Sequence, residues 1–177
     1  MMRVRRDGLL VACLISLSLV LTSPGNALAS LPDKTPVLVG EGRLSVLFWD
    51  IYEIQLFTSD GLYDPQKPVA LVLNYLRSVS GRDIVDTSID EIQKQGVFDA
   101  ATIAAWQAQL TKVFPDIAAG DTLIGSFDPD MGSRFHLNGG LIGEIDDLEL
   151  SRRFFDIWLS EATSQPRLRA QLLGINP

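Results

Sequence analysis

Two tyrosines and two arginines carry most of the chemistry that this sequence offers: Tyr52, Tyr75, Arg43 and Arg77. Val69 to Arg77 (VALVLNYLR) reads as a strand, with Val69, Leu71, Leu73, Tyr75 and Arg77 alternating onto one side. On that reading Arg77 ends an apolar row, where a pocket would meet water. A guanidinium there, helped by tyrosine hydroxyls, would hold a carboxylate or an enolate in bidentate fashion. An arginine that snorkels at a strand end, with tyrosines finishing a core, accounts for the same pattern. The residues alone leave both readings open.

Other reactive side chains have simpler roles. His136 is the sole histidine and stands between Phe135 and Leu137. Its intrinsic pKa suits a general base, but no Ser or Cys nucleophile motif accompanies it, so an outward-facing strand residue is expected. One histidine, and no cysteine beyond Cys13, argue against a zinc or other transition-metal site. Asp128-Pro129-Asp130-Met131-Gly132 imitates the start of a calcium loop. Met131 stands where an oxygen ligand belongs and Gly139 where the closing glutamate belongs, so a hairpin turn is expected. The glycines show neither phosphate-loop nor dinucleotide spacing, and no cofactor is called for. Asp146, Asp147 and Glu149 fit the N-terminus of a helix, and Asp83, Asp86, Asp90 and Glu91 the solvated face and first turn of another.

The elements that must position these residues follow from periodicity. Leu44 to Phe57 predicts one long strand, or two joined by a bulge near Trp49–Asp50, because apolar residues occupy both faces and Asp50 interrupts one row. Asp60-Gly61 and Asp64-Pro65 are turns. Ser88-Ile89-Asp90-Glu91 is a capping-box pattern, with an earlier helix start at Ser80 as the alternative. Gly96 is a natural stop. Asp99 caps a second helix with Ile103, Trp106, Leu110, Val113 and Phe114 on one stripe, closed by Pro115. Thr122–Phe127 and Ser133–Leu137 predict strands, and Asn138-Gly139 a tight hairpin into Leu141–Ile145. A helix with Leu150, Phe154, Ile157 and Trp158 on its stripe follows, then a short one from Pro166 to Leu173. Strands, helices, strands, helices predict an α+β fold: a largely antiparallel sheet with helices on one side.

The first 29 residues are expected to be a cleavable secretory signal. Arg3, Arg5 and Arg6 precede the uncharged run Leu9–Leu21, and Ala27-Leu28-Ala29 supplies a small-x-small cleavage site. The run is shorter than the ~20 residues that cross a bilayer, so cleavage is preferred over a retained anchor, and no permanent membrane span is expected afterwards. Cys13 falls inside this run, which leaves the mature chain without cysteine, as an exported protein with an adequate core permits. Removing Met1–Ala29 takes away three arginines and one aspartate, leaving 12 basic and 21 acidic residues. Such a surface repels phosphate backbones, so nucleic acid is not an expected partner. The remaining 148 residues make one domain, 30–177.

Several stretches together resemble the bacterial chalcone-isomerase-like family, exported relatives of plant chalcone isomerases and of fatty-acid-binding proteins. They are Gly42-Arg43-Leu44 with Phe48-Trp49-Asp50-Ile51-Tyr52, Leu73-Asn74-Tyr75-Leu76-Arg77, and Phe114-Pro115-Asp116-Ile117 with Gly120-Asp121. Asn138-Gly139, Gly143-Glu144-Ile145 and Asp147 follow, and the tail matches through Phe154–Leu159, Thr163-Ser164, Pro166, Leu168-Arg169 and Leu172–Gly174. The resemblance implies an open-faced β-sandwich: a large antiparallel sheet, a helical layer over it and a cleft between. It also implies that an arginine and a tyrosine on early strands hold a ligand carboxylate, with Tyr52 matching the hydroxyl and Arg43, or in its place Arg77, the arginine. The remaining isomerase side chains have no counterpart, which disfavours chalcone isomerisation.

Three functional expectations result. The first is a periplasmic or secreted binder of a small amphipathic carboxylate such as a fatty acid, through Tyr52, Tyr75, Arg77 and Arg43. The second is an isomerase or lyase in which Tyr52 and an arginine stabilise an enolate-like oxygen. The third is a non-catalytic module for an unidentified protein partner, favoured if Phe48, Trp49, Trp106 and Trp158 fill the cleft.

Overall fold

The computed structural model describes residues 35–175. The expected signal segment 1–29 and its cleavage site lie outside them. The described chain forms six strands and four helices. Strands β1 (Val37–Val46), β2 (Trp49–Thr58) and β3 (Val69–Tyr75) lead to helices α1 (Gly81–Lys94) and α2 (Ala100–Val113). Strands β4 (Thr122–Asp128), β5 (Gly132–Leu137) and β6 (Gly140–Ile145) follow, then α3 (Leu148–Leu159) and α4 (Pro166–Leu172). All neighbouring strands are antiparallel and lie in sequence order from β1 to β6. The expected open-faced β-sandwich, a sheet covered by a helical layer, is the architecture found.

The first hairpin differs from the strand predicted over Leu44–Phe57. Val46 pairs with Trp49, so Leu47 and Phe48 form a two-residue turn, with Leu47 at φ 56°. Periodicity could not reveal this turn, because no Gly, Asn or Asp marks it and its apolar residues continue the strand pattern. The bulge expected near Trp49–Asp50 exists, at the next residue. Leu44 pairs with Tyr52 but Ser45 with Asp50, which leaves Ile51 as the extra residue. From Tyr52 onward the alternation is strict: Tyr52, Ile54, Leu56 and Thr58 are buried toward the helices.

Between β3 and β4 the chain makes a helical excursion that leaves and returns at one end of the sheet. Asn74 pairs with Thr122, and Val79 and Ile117 exchange two backbone hydrogen bonds of 2.9 Å that close the stem. Helix α1 starts at the earlier of the two expected caps: the Ser80 Oγ accepts from the Asp83 N–H at 3.1 Å. Ser88 is therefore an interior, buried helix residue, and its hydroxyl donates to the Ile84 carbonyl at 2.7 Å. Its capping-box pattern loses because Val85, Ile89 and Ile92 continue one buried stripe across it. Asp99 caps α2 as expected, accepting from the Thr102 N–H at 2.9 Å, whereas the acidic run at 146–149 caps α3 through its second residue, Asp147, which accepts from the Leu150 N–H at 3.0 Å.

Helix α3 brings Leu150, Phe154, Phe155, Trp158 and Leu159 onto the sheet, where Phe154 and Phe155 meet Phe114, Phe127 and Phe135 in edge and stacked contacts. Helix α4 lies against β1 because two of its residues lack side chains. A Cβ on Gly40 would collide with the Gln171 carbonyl, and one on Gly42 would stand 2.5 Å from Leu168 Cδ1. No helix among the described residues is long and apolar enough to cross a membrane.

Candidate functional site

A cavity of about 280 Å³ lies between the sheet and α1 and α3. Its buried wall is apolar and largely aromatic: Leu71, Leu73, Phe135, Phe154, Phe155 and Trp158. Its mouth lies between the first hairpin, which contributes Leu44, Val46 and Ile51, and the start of the helical excursion, which contributes Val79, Asp83, Ile84 and Thr87. The bulge at Ile51 has a function here, since it lets both Ile51 and Tyr52 face the cavity. Gly125 keeps the sheet thin at this point. A Cβ there would stand 3.1 Å from Phe155 and 3.2 Å from Phe135.

Tyr52 and Tyr75 are directly opposite each other on β2 and β3, with ring centroids 5.4 Å apart. Both are buried and both line the cavity. The Tyr52 hydroxyl oxygen accepts from the Trp158 indole N–H at 2.9 Å, so its own proton is available to another acceptor. Burial pushes both phenols well above the ordinary tyrosine range, and for Tyr75 burial is the only cause. Both hydroxyls are therefore protonated donors at any physiological pH.

The structure does not bring the two arginines to these tyrosines. Arg43 stands on the far side of the sheet, where it donates to Asp50 at 2.7 Å and to Glu53 at 2.5 Å. These two carboxylates raise its pKa further. It lines a separate polar groove with Glu41, Glu53, Gln55, Asn74 and Gln171. Arg77 lies two residues past the end of β3, so the alternation expected to place it beside Tyr75 has already ended. Its guanidinium stacks 3.8 Å from the centroid of the Trp49 ring. Neither arginine lines the cavity.

His136 is half-buried at a second bulge, beside Phe135, and is not part of the cavity lining. Burial, with help from Arg134, lowers its pKa. Phe48 and Trp49 point outward, 95% and 55% exposed, and Trp106 donates to Asp147 at 3.1 Å. Of the four aromatic residues that would have filled the cleft, Trp158 alone lines it. Sequence reasoning missed Asp83, Ile84 and Thr87 as lining residues. The helical stripes marked the inward faces, but nothing in them told a cavity wall from a packed core. Among the described residues, no group of three or more His, Cys, Asp and Glu is placed to hold a metal ion.

Comparisons with known proteins agree with this architecture. The crystal structure of an Arabidopsis thaliana fatty-acid binding protein superposes with a TM-score of 0.59, covering 80% of this chain and 88% of that one at 14% identity. That likeness is one of fold. An uncharacterized protein of Haemophilus influenzae is 30% identical over 125 residues, which are 70% of this chain and 61% of that protein's length. The model of the family described as chalcone isomerase-like matches residues 26–174. With the six-stranded sheet, its helical cover and the cleft between them on the same chain, the protein belongs to the chalcone isomerase-like family.

Proposed function

We propose that this protein is an exported carrier of a small amphipathic molecule, such as a fatty acid, and works in the periplasm or outside the cell after cleavage near Ala29. The observation that carries this reading is the cavity itself: about 280 Å³ of apolar, largely aromatic space with a mouth and two phenols in its wall. That size is near the lower end of ligand pockets, roughly 300–1,000 Å³, and suits a hydrocarbon chain of modest length. The name of the plant structure with this fold points to the same class of ligand. The tyrosines Tyr52 and Tyr75 are the proposed polar contacts, while Arg43 and Arg77 are left to act from outside the cavity. The isomerase or lyase reading has less support, because neither arginine that would join Tyr52 in stabilising an enolate-like oxygen lines the cavity.

Native mass spectrometry tests the reading. Protein recovered from the periplasmic fraction of its own cells is expected to carry one extractable amphipathic molecule. Ile84→Trp, which blocks the mouth from a half-buried position, is expected to abolish that occupancy while the protein stays folded. A clean apo mass with no uptake from a lipid mixture would rule out the carrier function, and absence from both the periplasmic fraction and the culture medium would rule out the location.

A further inference from the structure

Among the described residues, the wall of the cavity holds hydrogen-bond donors but no cation. Each lining element contributes as follows. Strand β1 supplies Leu44 and Val46, and β4 and β5 supply Leu123, Gly125 and Phe135. Helix α3 adds Phe154, Phe155 and Trp158, none of which carries a titratable group. The titratable groups are Tyr52 on β2, Tyr75 on β3 and Asp83 on α1, and Glu91 on α1 acts on Tyr52 from nearby. Among the described residues, the one formal charge lining the cavity is thus the Asp83 carboxylate, and nearby Glu91 is paired with Lys94 at 2.7 Å. Both arginines are occupied elsewhere, with Asp50, Glu53 and the Trp49 ring.

The hydrogen-bonding capacity is equally specific. The Ser88 hydroxyl is spent on the Ile84 carbonyl, and the Trp158 N–H on the Tyr52 oxygen. Apart from the Thr87 hydroxyl at the exposed mouth, what remains is the Tyr52 O–H and the Tyr75 O–H, side by side on paired strands and both buried. Two neutral donors suit a carbonyl oxygen, which has two lone pairs. A carboxylate would surrender its hydration for the same two bonds, near Asp83, with no cation to compensate.

Resting on the carrier reading, we infer that the cavity takes its ligand in an uncharged, carbonyl-bearing form, as an ester or a protonated acid, and rejects the carboxylate anion. A free acid binds by first taking up a proton. Its apparent affinity is reduced by the fraction that is neutral, so it falls about tenfold for each pH unit above the acid's own pKa. An ester has no such dependence.

The test uses the intact mature protein and three probes built on a ten-carbon chain: decanoic acid, methyl decanoate and decane, each titrated at pH 5 and pH 8 with the protein's tryptophan fluorescence, to which the cavity-lining Trp158 contributes, as the readout. The ester is expected to bind equally at both pH values, which also shows that the protein's own groups do not change the site. The acid is expected to lose several hundredfold to a thousandfold between pH 5 and pH 8. Tyr75→Phe is expected to weaken the ester about five- to tenfold, the size of one hydrogen bond, and to leave decane unchanged. Acid binding at pH 8 as tight as the ester would overturn the inference while leaving the carrier reading intact. Failure of all three probes, decane included, would overturn the carrier reading and the inference with it.

Discussion

At the scale of single residues, the Tyr52–Trp158 hydrogen bond couples the sheet to the last long helix across the cavity wall. Both partners are buried, and they are separated by 106 positions in sequence. Tyr52→Phe leaves the indole N–H without an acceptor, which costs about 1–3 kcal/mol. Trp158→Phe removes the other partner, and the two changes share one interaction. The double variant is therefore expected to lose less stability than the single variants added together, by more than about 0.5 kcal/mol in denaturant melts. Strict additivity would show that the bond contributes nothing. Tyr52 was legible in the sequence because it sits in an alternating apolar row. Its partner was not, because only the fold brings residue 158 to strand β2.

At the scale of elements, the mouth of the cavity depends on two short devices. One is the first hairpin, whose apolar turn Leu47-Phe48 leaves Phe48 95% exposed and whose bulge at Ile51 turns two consecutive residues inward. The other is the first turn of α1, which carries Asp83 and Ile84 and is held by the Ser80 cap. Ser80→Ala removes both the acceptor for the Asp83 N–H and the donor to its carboxylate. The expected loss is about 1 kcal/mol, accompanied by faster hydrogen exchange at Asp83 and Ile84 than in the rest of α1. Unchanged exchange at those amides would show that the stem bridge between Val79 and Ile117 alone holds the helix start. The cap was legible as one of two candidates, Ser80 and Ser88. The choice fell to tertiary packing, which buries the stripe on both sides of Ser88.

At the scale of the whole molecule, the buried phenols make stability depend on alkaline pH. Tyr52 and Tyr75 are both raised well above their ordinary range, and partial burial raises Tyr63 to about 12. A raised folded pKa contributes stability that is fully present below the unfolded value, about 10, and is lost as pH rises through the folded value. Between pH 10 and pH 11 the unfolded chain ionises while the native phenols stay protonated. Stability is therefore expected to fall by up to about 1.4 kcal/mol per pH unit for each buried tyrosine. Denaturant melts at pH 8, 10 and 11 check this, and the Tyr52→Phe/Tyr75→Phe double variant is expected to show a much shallower decline. An equally steep decline in that variant would assign the effect to other groups.

By itself the sequence determined the α+β class, the order of strands and helices from β2 onward, the tight Asn138-Gly139 hairpin, the helix cap at Asp99, and the pairing of Tyr52 and Tyr75 with apolar strand faces. These features are local: propensity, turn chemistry and periodicity operate over a few residues. Only the tertiary structure decided which inward-facing side chains surround empty space and which fill it. It also decided that Arg43 turns to Asp50 and Glu53 and Arg77 to the Trp49 ring, so that neither arginine lines the cavity. A strand pattern gives the side on which a residue stands and extends no further than the strand, which ends at Tyr75. Where a long flexible cation finally rests is set by the nearest carboxylates and aromatic faces, and these come together only when the chain folds.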